Sequence, residues 1–231
     1  MAVTRVFAWA ILLIGLLAAG PARGAALALV LAVDVSASVT ADTYLLQHEG
    51  IARAFASRRL LQTISALPGG IETLVLEWSD PDKITITVDW TRVVDAASAR
   101  TFAAAVRATR RSSDGLTAIG PALLAAAATF DRLPEPATRR VIDISGDGIA
   151  NLGPPPAAAR DSIVATGIAI NGLAILTDDP WLASYYRSNV IGGPSAFVAA
   201  ARTFGDFGDA IERKLIEEVA DAPGRPLAQM Q

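Results

Sequence analysis

The chain has 231 residues, 52% of them hydrophobic and 19% charged, with 20 Lys and Arg against 23 Asp and Glu for a net charge of -3. That balance argues against disorder and gives no electrostatic reason to expect nucleic acid or anionic lipid as a partner, while the length suits one domain with at most a small addition. Cysteine is absent, which excludes a lipoprotein anchor and disulfides and leaves stability to core packing.

At the start, Arg5 precedes an apolar stretch from Val6 to Ala19, followed by Gly20, Pro21 and the small residues around Ala22 to Ala26. About 14 apolar residues are short for a membrane span, so residues 1–24 are expected to be a secretory signal peptide, with a retained anchor as the alternative. Its removal takes away Arg5 and Arg23 and no acid, leaving 18 basic against 23 acidic side chains, a net charge of about -5. The product is expected to be exported, periplasmic or extracellular, with no stable membrane insertion.

Leu27 to Val33 is an apolar run of seven residues, too short for a buried helix and suited to a strand covered on both faces. It ends in Asp34, Ser36 and Ser38, whose i, i+2, i+4 spacing points one carboxylate and two hydroxyls to one side of an extended chain. Thr40 or Asp42 is expected to cap a single helix running through Tyr44, Leu45, Ile51, Phe55 and Leu60 to about Leu67, stopped by Pro68-Gly69-Gly70. Ile71 to Trp78 then reads as a second strand. Ser79 to Asp82 turns the chain into Lys83 to Trp90, where Ile84, Ile86, Val88 and Trp90 alternate with polar residues. Such a strand has one wet face and is expected at an edge, antiparallel to the second strand.

Asp95 to Thr109 has helical spacing, Arg110 to Leu116 is a polar loop, and Thr117 is expected to open a second Ala-rich helix reaching Phe130. Arg139 to Ser145 reads as a buried strand cut off by Gly146-Asp147-Gly148. Pro154-Pro155-Pro156 leads a helix from Ala157 to Thr166. Ile168 to Leu176 is the next strand, and Thr177 to Pro180 turns into a short helix carrying Trp181, Tyr185 and Tyr186. Ala196 to Ala200 is expected as a last short strand, Phe204 to Val219 as an amphipathic terminal helix, and Asp221 onwards as a frayed tail. Strands alternating with helices predict an α/β fold with a doubly wound, mostly parallel central sheet, one antiparallel edge strand and helices on both faces. One domain is expected over residues 25–221, followed by a flexible tail over 222–231.

Three loops then fall at strand ends on one edge of the sheet: Asp34 to Ser38, the loop holding Thr117, and Gly146-Asp147-Gly148. Open α/β sheets place ligands at such edges. The first motif alone is weak, because serine is common in caps and turns; the three together are more specific. Hard oxygen donors without sulfur or imidazole suit Mg2+, Mn2+ or Ca2+. Ser36, Ser38 and Thr117 offer neutral oxygens, while Asp34 and Asp147 can bind a cation directly or hold its waters. A cation held mainly by hydroxyls keeps uncompensated charge and attracts an external carboxylate.

With these motifs in place the chain resembles the von Willebrand factor type A (vWA) domain and its metal-ion-dependent adhesion site, over about residues 27–220. Asp34, Ser36 and Ser38 match that family's D-x-S-x-S motif, Thr117 its loop threonine and Asp147 its aspartate after the fourth strand. More narrowly, Leu76 to Ser79, Arg140 to Gly148 and Asn189 to Pro194 look like a bacterial branch of exported type-A-like proteins with no assigned function. The resemblance implies a Glu or Asp of a protein partner completing the metal shell, and a shift between Thr117 and Asp147 coordination coupled to helix movement. Gly146 stands where the family usually has threonine, which removes an outer hydroxyl.

Two other functions compete with a non-catalytic, metal-dependent docking module. One is a metal-assisted phosphatase or hydrolase; against it, Ser36 occupies the position of the second aspartate of haloacid-dehalogenase-like enzymes, and neither a G-x-S-x-G elbow nor a P-loop is present. The other is a metal-free scaffold of the same fold. Away from the motifs, Asp143 is expected to pair structurally. Glu77, Asp80, Asp178 and Asp179 are assigned structural or turn roles, with Glu77 and Asp80 as outer neighbours of the site, and Asp178 and Asp179 as lining of its upper rim, in the alternative. His48 is expected to be a surface or satisfied side chain, Trp78, Trp90 and Trp181 to pack in the core or at an edge, and the pairs Arg58-Arg59, Arg110-Arg111 and Arg139-Arg140 to sit at solvated helix ends and loop edges.

Overall fold

The computed structural model describes residues 24–222. All but one of the residues expected to form the signal peptide, and 223–231 of the expected tail, lie outside that range. Asp221 and Ala222, expected to begin the tail, are held: Asp221 pairs with Arg139 at 2.9 Å and Ala222 is buried.

Six strands form one sheet. The first, β1 (Ala25–Asp34), is buried along its whole length, as its unbroken apolar run requires. It lies between β2 (Ile71–Trp78) and β4 (Ala137–Gly146), parallel to both. β3 (Ile84–Val93) pairs antiparallel with β2 at one edge, and β5 (Ala169–Ile175) and β6 (Val198–Ala201) continue the parallel sheet beyond β4, for the order β3-β2-β1-β4-β5-β6. β3 runs three residues past the expected Trp90, because Thr91 and Val93 continue the ladder opposite Thr73 and Ile71.

Alternate residues of β1 feed two separate cores. Leu27, Leu29, Leu31 and Val33 pack beneath α1 (Ala41–Ala56), α2 (Arg58–Ser65), α3 (Ala96–Ala108) and α7 (Phe207–Ala220). Ala28, Val30 and Ala32 face α4 (Ile119–Thr129), α5 (Pro156–Val164) and α6 (Leu182–Asn189). The period-two alternation of a strand thus supplies both faces of a three-layer sandwich. α1 and α7 cross closely where Gly50 meets Gly208: a Cβ on Gly50 would lie 2.9 Å from the Gly208 Cα.

The single helix expected from Thr40 to Leu67 is two. Ser57 takes an extended conformation, φ -72° and ψ 141°, and its hydroxyl accepts the Leu60 N–H at 3.2 Å, so it ends α1 and caps α2. Thr117 does not open α4; that helix starts two residues later, with Ala118 at the cap position. Trp181 is 51% exposed, contrary to a packing role, whereas Trp78 is fully buried and the half-buried Trp90 donates its indole N–H to the Thr129 carbonyl.

Candidate metal centre

Neighbouring β1 and β4 have connections that leave towards opposite sides of the sheet, so their carboxyl ends meet at the switch point where open α/β sheets hold ligands. Asp34 is the last residue of β1 and Asp147 follows the last residue of β4. The strand order alone therefore brings two carboxylates, far apart in sequence, to one place.

The local contacts join the loops. Asp34 Oδ1 accepts the Ser36 N–H at 2.8 Å, which bends the chain into a tight turn. Ser36 and Ser38 hydroxyls lie 3.3 Å apart, and Ser38 Oγ donates to Asp147 Oδ1 at 2.9 Å. Thr117 sits beside the glycine after Asp147: a Cβ on Gly148 would lie 3.9 Å from Thr117 Oγ1. Asn151 holds the Thr117 backbone from both sides, taking its N–H at 2.7 Å on the side-chain oxygen and giving its own N–H to the Thr117 carbonyl at 3.0 Å. All five residues singled out by sequence therefore come to the same rim, four of them linked by hydrogen bonds or hydroxyl contact.

The electrostatics of the cluster are those of an anion cage short of positive charge. Burial and the Asp147 carboxylate push Asp34 up to about 7, against the hydrogen bonds from Ser36. Burial also raises Asp147, as does the more distant Asp178, while the Ser38 hydroxyl opposes the rise. Asp34 Oδ2 is buried with no hydrogen-bond partner. It packs closely against Gly146, where a Cβ would stand 2.8 Å from Asp34 Oδ2 and 2.7 Å from Tyr186 Oη, so the backbone there admits no side chain. The Tyr186 hydroxyl is also unpartnered, and burial with the two nearby aspartates raises it well above its ordinary value. An orphaned carboxylate oxygen, three hydroxyls and a second carboxylate fit a hard divalent cation with several waters retained. Among the described residues, no three His, Cys, Asp or Glu side chains gather in a metal-ligating group.

Sequence reasoning missed the supports of this rim. Arg111, expected at a solvated loop edge, turns its Nη2 inward to the carbonyls of Val35 and Ser36, both at 2.9 Å, and so clamps the first loop from behind. Gln47 of α1 donates to the Asp34 carbonyl. Glu77 at the end of β2 accepts the Tyr44 hydroxyl at 2.9 Å and the Ser112 N–H at 2.8 Å, and its Oε1 lies 3.0 Å from His48 Nε2. Burial raises Glu77, but the His48 and Ser112 contacts outweigh it and hold the carboxyl below its ordinary value. Asp80 accepts the Leu116 N–H at 2.7 Å and pairs with Lys83. Glu77 and Asp80 thus fix the loop that delivers Thr117. Asp143 is paired structurally, as expected, with Lys214.

The family profile of proteins of unknown function designated DUF1194 matches residues 24–223. The chain belongs to this family. No match was found among curated proteins. Among solved structures, proximal thread matrix protein 1 of the mussel byssus, in a form with a zinc-occupied adhesion-site motif, is 14% identical over 86% of this chain and 48% of its own, with a TM-score of 0.60. A von Willebrand factor type A protein from Catenulispora acidiphila is 20% identical over 85% of this chain and 42% of its own, TM-score 0.57. The von Willebrand factor domain of the type V pilus tip protein Mfa5 from Porphyromonas gingivalis is 10% identical over 85% of this chain and 97% of that domain, TM-score 0.55. The chain spans about half the length of the mussel protein. At these identities the likeness is one of fold, and the fold is that of a vWA domain. No helix of the described residues is long and apolar enough to cross a membrane.

Proposed function

We propose that this chain is an exported, non-catalytic docking module that binds one divalent cation, Mg2+ or its close relatives Mn2+ and Ca2+, and through it an acidic residue of a protein partner. Asp34, Ser36, Ser38, Thr117 and Asp147 hold the ion or its waters. The observation that carries this reading is the 2.9 Å bond from Ser38 to Asp147, which joins two loops 109 residues apart at the rim where Asp34 Oδ2 is left without a partner. A bound ion would supply a positive centre; the chain's part is to pre-position the oxygens with few negative ligands among them, so that a further carboxylate is attracted. If one of Asp34 and Asp147 were to hold a water in place of the ion, direct contacts would offset only part of a divalent charge.

Support for a docking role comes from the vWA neighbours, among them a pilus tip protein and a byssal matrix protein with zinc in the corresponding motif. Support for export comes from Arg5 and the apolar run behind it. Calorimetric titration of Mg2+ or Mn2+ into EDTA-stripped protein tests the reading. One site per chain is expected, lost in Thr117→Ala; wild type that takes up neither ion overturns it.

A further inference from the structure

The face of the sheet beneath α7 holds a second polar cluster that the docking reading leaves unused. Lys214 of α7 is buried, its side chain 0% exposed, with its Nζ 2.7 Å from Asp143 Oδ1 on β4 and 2.5 Å from Glu218 Oε1 one helical turn further along. Both acids are buried as completely as the lysine. Asn171 of β5, in register with Asp143, donates to Glu218 Oε1 at 2.8 Å and takes the Phe197 N–H on its own oxygen, which fixes the glutamate. The Phe197 ring stands 5.1 Å from the Lys214 Nζ.

As an ion cluster this arrangement is poorly satisfied. Two carboxyl groups face one ammonium, and beyond the Lys214 contacts Asp143 Oδ2 and Glu218 Oε2 are buried without a hydrogen-bond donor; buried polar groups with unmet lone pairs are costly. As a condensation site, however, every group has a use. An amine is held against a carboxyl group within reach for reaction, in a water-poor pocket, with a second carboxyl touching the amine.

We propose that Lys214 and Asp143 are joined by an intramolecular isopeptide bond, with Glu218 as the catalytic proton carrier. The Lys214 nitrogen lone pair attacks Asp143 Cγ, forming the N–C bond; one Cγ–O bond breaks, and that oxygen departs as water. One ammonium proton first passes through Glu218 Oε1 to Asp143, which leaves a free amine and a neutral acid; after the attack a second leaves Nζ by the same route for the departing oxygen, and the third stays on the amide nitrogen. Glu218 ends as it began, and nothing is oxidised or reduced. Burial and the Glu218 carboxylate raise Asp143 above the ordinary carboxylate range, against Lys214, which favours the neutral acid that is the better electrophile. The product is a neutral amide that replaces a buried ion pair and ties α7 to a central strand, in a chain that has no cysteine to do so.

The test is the intact mass of the purified, folded protein under denaturing conditions, followed by tryptic mapping. The proposal expects a mass one water below that calculated from the chain's observed N-terminus, no cleavage after Lys214, and a branched peptide joining residues 141–160 to residues 214–231. Glu218→Gln is expected to restore the full mass and release a peptide beginning at Leu215, with an unchanged circular dichroism spectrum. Wild type at its full calculated mass, with Lys214 open to trypsin, overturns the bond. A bond that persists in Glu218→Gln overturns the role of Glu218, and failure of that variant to fold leaves the wild-type mass decisive.

Discussion

Replacing Asp34 by Asn separates the cost of the site from its use. The variant keeps the oxygen that accepts the Ser36 N–H at 2.8 Å and removes a negative charge buried beside Asp147. Because the folded chain raises this carboxyl from 3.8 to about 7, the folded state binds the proton more tightly than the unfolded one. The stabilisation from protonated Asp34 is complete below about pH 4 and is lost as pH rises to about 7. Each factor of ten in proton affinity is worth about 1.4 kcal/mol, so at pH 8 ionised Asp34 opposes folding by several kcal/mol in the absence of a cation. One kcal/mol moves the melting temperature of a domain this size by about 2–4 °C. In EDTA at pH 8, Asp34→Asn is therefore expected to melt at least about 5 °C above wild type, with the difference fading towards pH 4. A cation at 100 times its Kd adds about 2.7 kcal/mol to wild type and little to the variant, so Mg2+ narrows or reverses the order. Differential scanning calorimetry in EDTA and in saturating Mg2+ measures both effects. A variant that melts below wild type in EDTA at pH 8, or gains as much from Mg2+, refutes the reasoning.

Two further substitutions probe the surroundings of the ion. Gly146→Ala places a methyl 2.8 Å from Asp34 Oδ2 and 2.7 Å from Tyr186 Oη; it is expected to cost about 1–3 kcal/mol as overpacking and to weaken Mn2+ binding in calorimetry, and unchanged affinity would show that this close contact plays no part in binding. Arg111→Ala removes the clamp on the Val35 and Ser36 carbonyls while leaving every proposed ligand side chain in place. It is expected to lower metal affinity about 10–100-fold, as loss of an outer support does, while an affinity equal to wild type would confine Arg111 to folding.

What the sequence made legible was whatever depended on local pattern. The unbroken run from Leu27 to Val33 and the alternation from Ile84 to Trp90 read directly as a doubly covered strand and a half-wet edge, and the sheet order then placed Asp34 beside Asp147. The break at Ser57 was locally signalled, since a serine three residues before Leu60 is a cap, but the apolar periodicity across it concealed the end of α1. Threonine favours a helix start, which is how Thr117 reads from sequence alone, whereas its backbone is engaged by Asn151. Arg111 and the His48–Glu77 pair were not legible, because their partners are backbone carbonyls or side chains brought in from remote strands and no spacing encodes such contacts. Asp143 could be assigned a structural partner, but nothing in its strand identified Lys214 on the last helix.

Electron paramagnetic resonance of Mn2+ puts the cation cage to the most direct trial, because the signal of the free aqua ion disappears as the ion binds. Titration of EDTA-stripped protein is expected to silence one Mn2+ per chain in wild type and none at the same concentrations in Asp34→Ala or Asp147→Ala. A free-ion signal that rises from the first addition in wild type, or that is silenced equally in both variants, contradicts the assignment of the ion to Asp34, Ser36, Ser38, Thr117 and Asp147.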